Sequence, residues 1–288
     1  KNLRENQGKL TMMVTKVPDG SNFGVVESKN GYLVSIIEKG FGGESMINAG
    51  SFLFNEKIFK AIDGIKKSVR GEYELTDALE SIASQVLVIN YKGFWRDIGT
   101  PWDLITANEE YMKNNVEFIK GTIEDNVTIK GIIHLGEGSI IKSGTYIEGN
   151  VWIGDNCIVG PNAYVRNGTV LCGMNKIGAS TEVKNSILLK GAKAPHHNYV
   201  GDSIIGEESN LGSGTKIANL RFDKKTIEVI HKGKKSDSGR IKLGAIIGKN
   251  VNTGINASIN AGSIIGNDVK IGPNTLISGT YESKSTIV

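Results

Sequence analysis

The sequence has 288 residues and a formal net charge of +4, from 34 basic and 30 acidic residues that are mixed along the chain. That charge is too small and too dispersed for a protein dedicated to nucleic acid, and no apolar run approaches the ~18 residues that a membrane span needs. Two cysteines cannot make a disulfide scaffold or a four-ligand zinc site. We therefore expect a cytoplasmic protein that binds neither nucleic acid nor a membrane.

The first 117 residues have the pattern of an α/β domain. Apolar runs and alternation predict strands over 10–17, 24–26, 32–37 and 85–90, and helical spacing predicts helices over 56–68 and 75–84. Asn55 is the expected N-cap of the first helix, and Thr76 or the adjacent Asp77 that of the second. A charged helix over 103–114 is predicted to link this domain to the rest of the chain.

Five short motifs follow one another in this region: F-G-V-V at 23–26, I-I-E-K at 36–39, N-A-G-S-F-L-F at 48–54, G-E-Y-E-L-T-D at 71–77 and W-R-D-I-G-T-P at 95–101. In this order they resemble the second half of the sugar-1-phosphate nucleotidylyltransferases, which have a Rossmann-like α/β fold. The resemblance implies that residues 1–102 are the C-terminal part of such a domain, with Gly24, Glu38, Lys39 and Asn48 lining a sugar-phosphate pocket. It also implies that Asp97 binds Mg²⁺, for which a carboxylate is a suitable hard ligand.

That family begins with a glycine-rich loop whose backbone amides hold the nucleotide phosphates. No loop of the G-x-G-T-R type occurs in residues 1–117. We expect the chain to begin part-way through the domain, to expose unpaired sheet edges there, and to lack pyrophosphorylase activity by itself. The complete protein is expected to have that activity.

After residue 118 the sequence repeats with a period of six. Every sixth residue from Ile123 to Leu189 is aliphatic, the series restarts at Tyr199, and it later runs from Ile241 to Ile277 with Thr253 as the one exception. The abundant glycines of this region suit tight corners between short strands. The pattern predicts a solenoid and resembles the left-handed parallel β-helix of hexapeptide-repeat proteins, from which the handedness is taken. We assign it to residues 118–288, after a helical linker over 103–117.

Two segments interrupt the repeat. The first, 191–202, contains His196 and His197, and the second, 220–238, is a basic loop that is either simply solvated or suited to phosphate. The signature K-x-x-H-x-x-Y-x-G-D is met at 193–202, followed by I-G-x-x-x-N-x-G at 205–212. These motifs resemble the acetyltransferase half of the bifunctional N-acetylglucosamine-1-phosphate uridylyltransferases/glucosamine-1-phosphate N-acetyltransferases. The long loop after Lys225 is similar to that of archaeal relatives.

The resemblance implies a catalytic set of His196, Asn219 and Lys225, substrate ligands at Arg166, Lys184, Tyr199 and Asn210, and acyl-donor contacts at Gly212 and Ser213. The chemistry agrees with these residue types. An amine that attacks a thioester must lose a proton, and histidine, with an ordinary pKa of about 6.5, is a suitable general base. Arg166 and Lys184 would neutralise the phosphate of the sugar and orient its amine.

We therefore predict acetyl-CoA-dependent N-acetylation of glucosamine-1-phosphate or galactosamine-1-phosphate by a homotrimer. The complete protein would also use Mg²⁺ and UTP or dTTP to make a nucleotide sugar such as UDP-N-acetylglucosamine. Two alternatives stay open: a nucleotidylyltransferase whose β-helix is only a trimerisation or regulatory scaffold, and a thymidylyl- or guanylyltransferase with an inert tail. A scaffold has no need for a histidine, an arginine, a lysine and two asparagines at the family's spacing, which favours the acetyltransferase.

Overall fold

The computed structural model describes residues 4–38, 42–68, 71–114, 116–231 and 233–288. The chain divides into two compact units, Lys1–Trp95 and Arg96–Val288. No helix in the described ranges is long and apolar enough to cross a membrane.

The first unit is built on five strands: β1 Leu10–Val17, β2 Val25–Lys29, β3 Tyr32–Ile37, β4 Ser45–Leu53 and β5 Val86–Tyr91. They pair in the closed order β1-β4-β2-β3-β5. Strand β1 lies antiparallel to β4 and parallel to β5, and β5 returns to β3 where Leu87 pairs with Tyr32. The expected unpaired edges are therefore wrong, because each of these strands has a partner on both sides.

Two short helices cover this sheet, α1 Lys57–Asp63 and α2 Leu75–Ser81, and single 3₁₀ turns occur at Arg4–Asn6 and Ala83–Gln85. Glu56, not the predicted Asn55, occupies the N-cap position of α1, although the Asn55 Oδ1 accepts the Lys57 N–H at 3.1 Å. The predicted caps of α2 are wrong, because Glu74 occupies the N-cap position and the Thr76 hydroxyl lies inside the helix, buried and without a hydrogen-bond partner among the described residues.

The predicted linker helix forms as α3 Pro101–Met112, within the second unit. Thr100 and Asp103 make a reciprocal capping box, in which the Asp103 Oδ2 accepts the Thr100 N–H at 2.9 Å. Trp102 and Ile105 are buried against the following solenoid. The helix is thus a packed element of that unit rather than a free connection.

The rest of the second unit is a parallel β-helix with one inserted hairpin. Its strands, in chain order, are β6 Phe118–Ile119, β7 Thr122–Ile123, β8 Thr128–Lys130, β9 Ile133–Leu135, β10 Ile140–Ile141, β11 Tyr146–Glu148, β12 Val151–Ile153, β13 Ile158–Val159, β14 Tyr164–Arg166, β15 Val170–Leu171, β16 Lys176–Ala179, β17 Glu182–Lys184, β18 Ile187–Leu188, β19 Lys193–His196, β20 Tyr199–Gly201, β21 Ile204–Ile205, β22 Lys216–Ile217, β23 Glu228–His231, β24 Lys234–Asp237, β25 Ile246–Ile247, β26 Asn252–Thr253, β27 Ser258–Ile259, β28 Ile264–Ile265, β29 Lys270–Ile271, β30 Leu276–Ile277, β31 Thr280–Tyr281 and β32 Thr286–Ile287.

The solenoid strands form three faces in which each strand pairs in parallel with its equivalents in the neighbouring coils. Face I runs from β7 through β19 and, across Asn210, to β26, β29 and β32. Face II runs from β8 to β30 and contains β14, β17, β20 and β22, and face III runs from β6 to β31. One inward aliphatic side chain per face stacks in a continuous buried core. This confirms the predicted solenoid of short strands.

The inward positions predicted from the six-residue period are wrong at Leu189 and Tyr199, and again at Ile241 after the insertion. Leu188, not Leu189, pairs with Leu171 inside the solenoid, and Val200, not Tyr199, pairs with Val183. The cause is the corner between faces II and III, here called the II–III corner. Val183 to Leu188 and Val200 to Ile205 are steps of five residues instead of six, and the turn residue with positive φ is Asn185 at 45° in one coil and Asp202 at 49° in the next.

The long interruption leaves the solenoid at the same II–III corner. The chain departs after β22 on face II and returns at β25 on face III, forming the β23–β24 hairpin on the way. Residues of the insertion and of α3 cover face III as one apolar cluster that contains Trp102, Ile105, Ile187, Ile204, Ile227, Val229 and Leu243. Ile241, predicted to point inward, is instead 54% exposed.

This register predicts how two aliphatic truncations differ. Leu188→Ala should lower the free energy of unfolding by about 2–5 kcal/mol, because it leaves a cavity in the solenoid core. Ile241→Ala should change it by no more than about 0.5 kcal/mol, because that side chain is mostly in water. Urea unfolding followed by circular dichroism measures both, and equal losses would contradict the assigned register.

Candidate functional site

Face II carries two adjacent columns of outward polar side chains. Tyr164, Glu182 and Tyr199 lie in register in one column, and Arg166 and Lys184 lie in the other. The Arg166 Nη1 donates a hydrogen bond to the Glu182 Oε1 at 2.9 Å, and its guanidinium lies 5.3 Å from the centre of the Tyr164 ring. Both predicted cations are therefore fixed on one exposed face, with donors left over for an anion.

A buried carboxylate stands at the edge of this face. Asp202 is 2% exposed and holds three donors: its Oδ1 accepts the Asn185 amide at 2.8 Å, and its Oδ2 accepts the Lys184 ammonium at 3.2 Å and the Asn219 amide at 2.5 Å. Lys184 and Asn219, two of the predicted site residues, are thus brought together by a residue that sits in the turn itself.

Gly201 separates Tyr199 from this cluster and leaves no room for another side chain. A Cβ there would lie 2.6 Å from the Asn219 Nδ2 and 2.9 Å from the Tyr199 hydroxyl. Burial, followed by the nearby carboxylates of Glu182 and Asp202, raises the pKa of Tyr199. The phenol is therefore a neutral hydroxyl at physiological pH, able to donate and accept hydrogen bonds.

His196 is the last residue of β19 on face I, at the I–II corner and two residues before the buried Asn198. Its backbone N–H donates to the Asn198 Oδ1 at 3.1 Å, while its imidazole is exposed and has no hydrogen-bond partner among the described residues. His197 instead occupies the left-handed turn position, with φ of 46°. Both histidines are exposed, and they differ in backbone conformation, because His196 ends a strand and His197 has the positive φ of the turn.

Of the residues expected to contact the acyl donor, Ser213 lies near His196. The Gly214 N–H donates to the His196 carbonyl at 3.1 Å, which places residues 213–214 one coil away from the histidine. Gly212 has a packing reason for being glycine, since a Cβ would collide with the carbonyl oxygens of Thr253 and Gly254 in the next coil.

Asn210 lies away from the face II cluster. It bridges Lys193 and Asn252 on face I, which the I–II corner separates from Arg166 and Lys184. The structure therefore does not bring Asn210 together with the two predicted phosphate ligands.

Lys225 is exposed in the insertion, and its backbone N–H donates to the Asp223 Oδ1 at 3.2 Å. The Arg221 guanidinium, together with that N–H, holds the pKa of Asp223 well below its ordinary value. Beside this loop is a cavity of about 470 Å³ lined by Ala218, Leu220, Arg221, Phe222, Asp223, Asn260, Ala261 and Ser278. Lys232 lies outside the described residues, as does the side chain of His231.

The first unit gathers three of its four predicted pocket residues. A Cβ at Gly24 would lie 3.7 Å from the Glu38 Oε1 and 4.0 Å from the Asn48 Cβ, and the Asn48 N–H donates to the Gly24 carbonyl at 2.9 Å. The absence of a side chain at Gly24 thus keeps the space between Glu38 and Asn48 open. Lys39 lies outside the described residues.

Asp97 lies in the second unit, in the exposed loop before α3. No cluster of three or more histidine, cysteine or acidic side chains in the described ranges could hold a metal. A single carboxylate still fits Mg²⁺, which commonly takes one or two protein carboxylates and completes its shell with phosphate and water. A site of this kind would need the substrate phosphates as ligands.

Two family profiles match the chain. The profile described as nucleotidyl transferase matches residues 1–114, and that of the bacterial transferase hexapeptide repeats matches 132–167 and 244–279. A "Bifunctional sugar-1-phosphate nucleotidylyltransferase/acetyltransferase" of Sulfurisphaera tokodaii is 49% identical over 89% of this chain and 64% of its own length. A "Bifunctional protein GlmU" of Methanococcus aeolicus is 43% identical over 99% of this chain and 70% of its own length.

The chain belongs to the GlmU family. It spans about two thirds of the length of these relatives, and a GlmU protein of Methanocaldococcus jannaschii, 43% identical over 97% of this chain, is covered to 69%. The bifunctional family and the order of its two domains agree with the resemblance on which the sequence predictions were based.

Sequence reasoning missed several residues that the structure places around Arg166, Lys184 and Asn219. Asp202 was seen only as the end of a motif, and Glu182 and Asn185 were not singled out. The two five-residue steps in the repeat are a sequence signal for Asn185 and Asp202. A missing residue in a solenoid repeat indicates a changed corner, and both residues lie in such a corner. No local signal identifies the pair of Glu109 and Arg240, which meet although they are 131 positions apart.

Proposed function

We propose that the second unit transfers an acetyl group from acetyl-CoA to the amine of an amino-sugar-1-phosphate, glucosamine-1-phosphate or galactosamine-1-phosphate. The observation that carries the proposal is the layout of two neighbouring faces of the solenoid. The exposed imidazole of His196 stands at the I–II corner, where β19 ends, and the two cations stand on face II toward the II–III corner.

His196 is the general base of this reaction. The neutral amine attacks the thioester carbonyl carbon, and the imidazole removes the proton that the new ammonium group must lose. As the carbon–sulfur bond breaks, the same proton can pass to the departing CoA sulfur, which leaves as a thiol. The exposed position of His196 lets both the amine and the thioester approach the ring.

Arg166, Lys184 and Tyr199 bind the sugar phosphate. Arg166 and Lys184 keep N–H donors beyond those used by Glu182 and Asp202, so a phosphate can bind without breaking either pair. The Asn219 amide group is oriented by Asp202, which leaves its carbonyl oxygen to accept from a sugar hydroxyl or the amine. Lys225, on the exposed loop, is a candidate for the oxyanion or for the phosphates of CoA.

The acyl donor is proposed to contact Ser213, beside His196, and to follow the side of the solenoid. The cavity beside the insertion shares Ala218 and Asn260 with a second concavity lined by Tyr199, Lys216 and Ile217. We further propose a cytoplasmic homotrimer, in which the remaining exposed solenoid surfaces pack against one another.

For the complete protein we propose a second activity, transfer of a nucleotidyl group from UTP or dTTP to a sugar-1-phosphate. Gly24, Glu38 and Asn48 would line the sugar pocket, and Asp97 would supply a carboxylate to Mg²⁺. When bound, the ion would neutralise charge on the phosphates. This chain covers 64% and 70% of the length of the first two relatives. The second activity is therefore proposed for the whole protein and not for this chain alone.

The histidine pair provides the first test. His196→Ala should lower kcat for acetyl transfer at least about 100-fold, because it removes a general base. The matched control is His197→Asn, since asparagine tolerates the positive φ of that turn better than most residues. The control should retain activity within about threefold. Release of free CoA thiol from acetyl-CoA measures both, and equal losses would contradict the assignment of the base.

Arg166 tests the binding of the phosphate. Arg166→Ala should raise the KM for the sugar phosphate at least about tenfold and that for acetyl-CoA less than about twofold, because a charge-assisted hydrogen bond is lost on one substrate only. Lys249→Ala, which removes an exposed lysine paired with Glu207, is the control. A larger effect on acetyl-CoA than on the sugar phosphate would reject this role for Arg166.

A further inference from the structure

Helix α3 follows the II–III corner of the solenoid, coil by coil. The Met112 carbonyl accepts the Asn150 amide at 2.8 Å, and one turn earlier the Asn108 amide donates to the Gly168 carbonyl at 2.8 Å. In the following coil, Glu109 meets Asn185. The helix pitch of about 5.4 Å is close to the strand spacing of about 4.8 Å, so the turns at Met112 and Asn108 reach neighbouring coils, and the Glu109 side chain reaches the next coil from the same turn as Asn108.

Glu109 connects the helix, the insertion and the corner. Its Oε1 accepts the Arg240 Nη2 at 2.5 Å and the Asn185 amide at 2.6 Å, and its Oε2 accepts the Arg240 Nη1 at 3.2 Å. Arg240 is largely enclosed, and its Nη1 also donates to the Thr106 hydroxyl at 2.8 Å. Burial raises the pKa of Glu109, but the hydrogen bonds from Arg240 and Asn185 more than offset this, so the pKa is lowered overall.

Asn185 transmits this arrangement to the site. Its amide nitrogen stands between two carboxylates, 2.6 Å from the Glu109 Oε1 and 2.8 Å from the Asp202 Oδ1. Only a donor fits between two acceptors, so the orientation of the amide group is fixed. The other oxygen of Asp202 holds Lys184 and Asn219.

We propose that Glu109 and Arg240 are positioning residues for the acetyl-transfer site, acting through Asn185 and Asp202 to fix the ammonium group of Lys184 and the amide group of Asn219 where the sugar phosphate binds. The proposal rests on the proposed acetyltransferase function. It gives the long insertion a role in sugar-phosphate binding, because Arg240 belongs to its returning arm.

The charges support a single unit. A cation stands at each end of the chain of contacts, Arg240 and Lys184, and the two carboxylates lie between them on either side of the Asn185 amide, so the charges of the network balance. Removal of Arg240 leaves Glu109 without its cation and frees the Asn185 amide to follow Glu109 into a new position. The Lys184 ammonium would then no longer be held in one position by Asp202, although no residue proposed to touch the substrate has been replaced.

The test measures substrate selectivity in Arg240→Ala and Arg240→Lys. The first should raise the KM for the sugar phosphate about five- to tenfold, with kcat and the KM for acetyl-CoA changed less than about twofold. The second should recover part of the effect, because lysine restores the charge but cannot contact both Glu109 oxygens and Thr106. Lys249→Ala on the solenoid, whose partner is Glu207, and Lys113→Ala at the end of α3, whose partner is Glu110, are controls expected to match the parent protein.

A second readout separates this proposal from the proposed function. In thermal unfolding, Arg240→Ala and Asp202→Asn should be non-additive, whereas Arg221→Ala and Asp202→Asn should add. If the parent protein does not acetylate but this coupling is present, the proposed function fails and the network stands. The positioning role would be overturned if the changes in unfolding midpoint caused by Arg240→Ala and Asp202→Asn simply added in the double variant. It would also be overturned if Arg240→Ala lowered the unfolding midpoint but left every KM unchanged. Arg240→Lys supplies the kinetic answer if Arg240→Ala fails to fold.

Discussion

The buried carboxylate of Asp202 is the contact on which the arrangement of the second unit depends. A carboxylate shielded from water is costly unless donors surround it, and here three side chains supply them from the two neighbouring coils, Lys184 and Asn185 from one and Asn219 from the other. Each of those donors is thereby held in one place. Lys184 and Asn219 are held at this edge of face II because the buried corner residue behind them needs partners, so the stability of the corner and the positions of these two side chains have one cause.

The solenoid explains why such a contact can form. Its faces are regular, because one inward aliphatic residue per strand stacks on its equivalents in the neighbouring coils. Differences in length and insertions are therefore accommodated at the corners. At the II–III corner two coils lose a residue and another coil gains the whole insertion. The same corner receives α3, whose turns are spaced closely enough to the coils to contact Asn150, Gly168 and Asn185 in succession.

The sequence predicted the solenoid because its signal is local and repeated, but it could not predict the register across the corners. When residues are counted in steps of six, a corner of another length shifts every later position. Leu189, Tyr199 and Ile241 were therefore predicted to point inward, whereas Leu188 and Val200 occupy the core. The same shift hid the role of Asp202. In the first unit, strand β4 contained a recognised motif, yet its pairing with β1 and β2 depends on partners distant in sequence.

The candidate site was predictable where residue type and spacing carry the chemistry. Arg166, Lys184, Tyr199 and Asn219 do lie around one face, whereas the different roles of His196 and His197 stay a prediction. Asn210 was expected beside them and lies on face I, since one corner of the solenoid turns it away. Glu109 and Arg240 could not be found at all, because the contact joins a helix and an insertion that share no motif.

A double-mutant cycle between Lys184 and Asp202 tests the central claim most directly. Lys184→Met and Asp202→Asn are each nearly matched in size to the native residue, and each should raise the KM for the sugar phosphate. If Asp202 acts by holding Lys184, the double variant should be no worse than Lys184→Met alone within about threefold, because the second change removes a contact already lost. Effects that multiply would show that the two side chains act independently and would contradict the account.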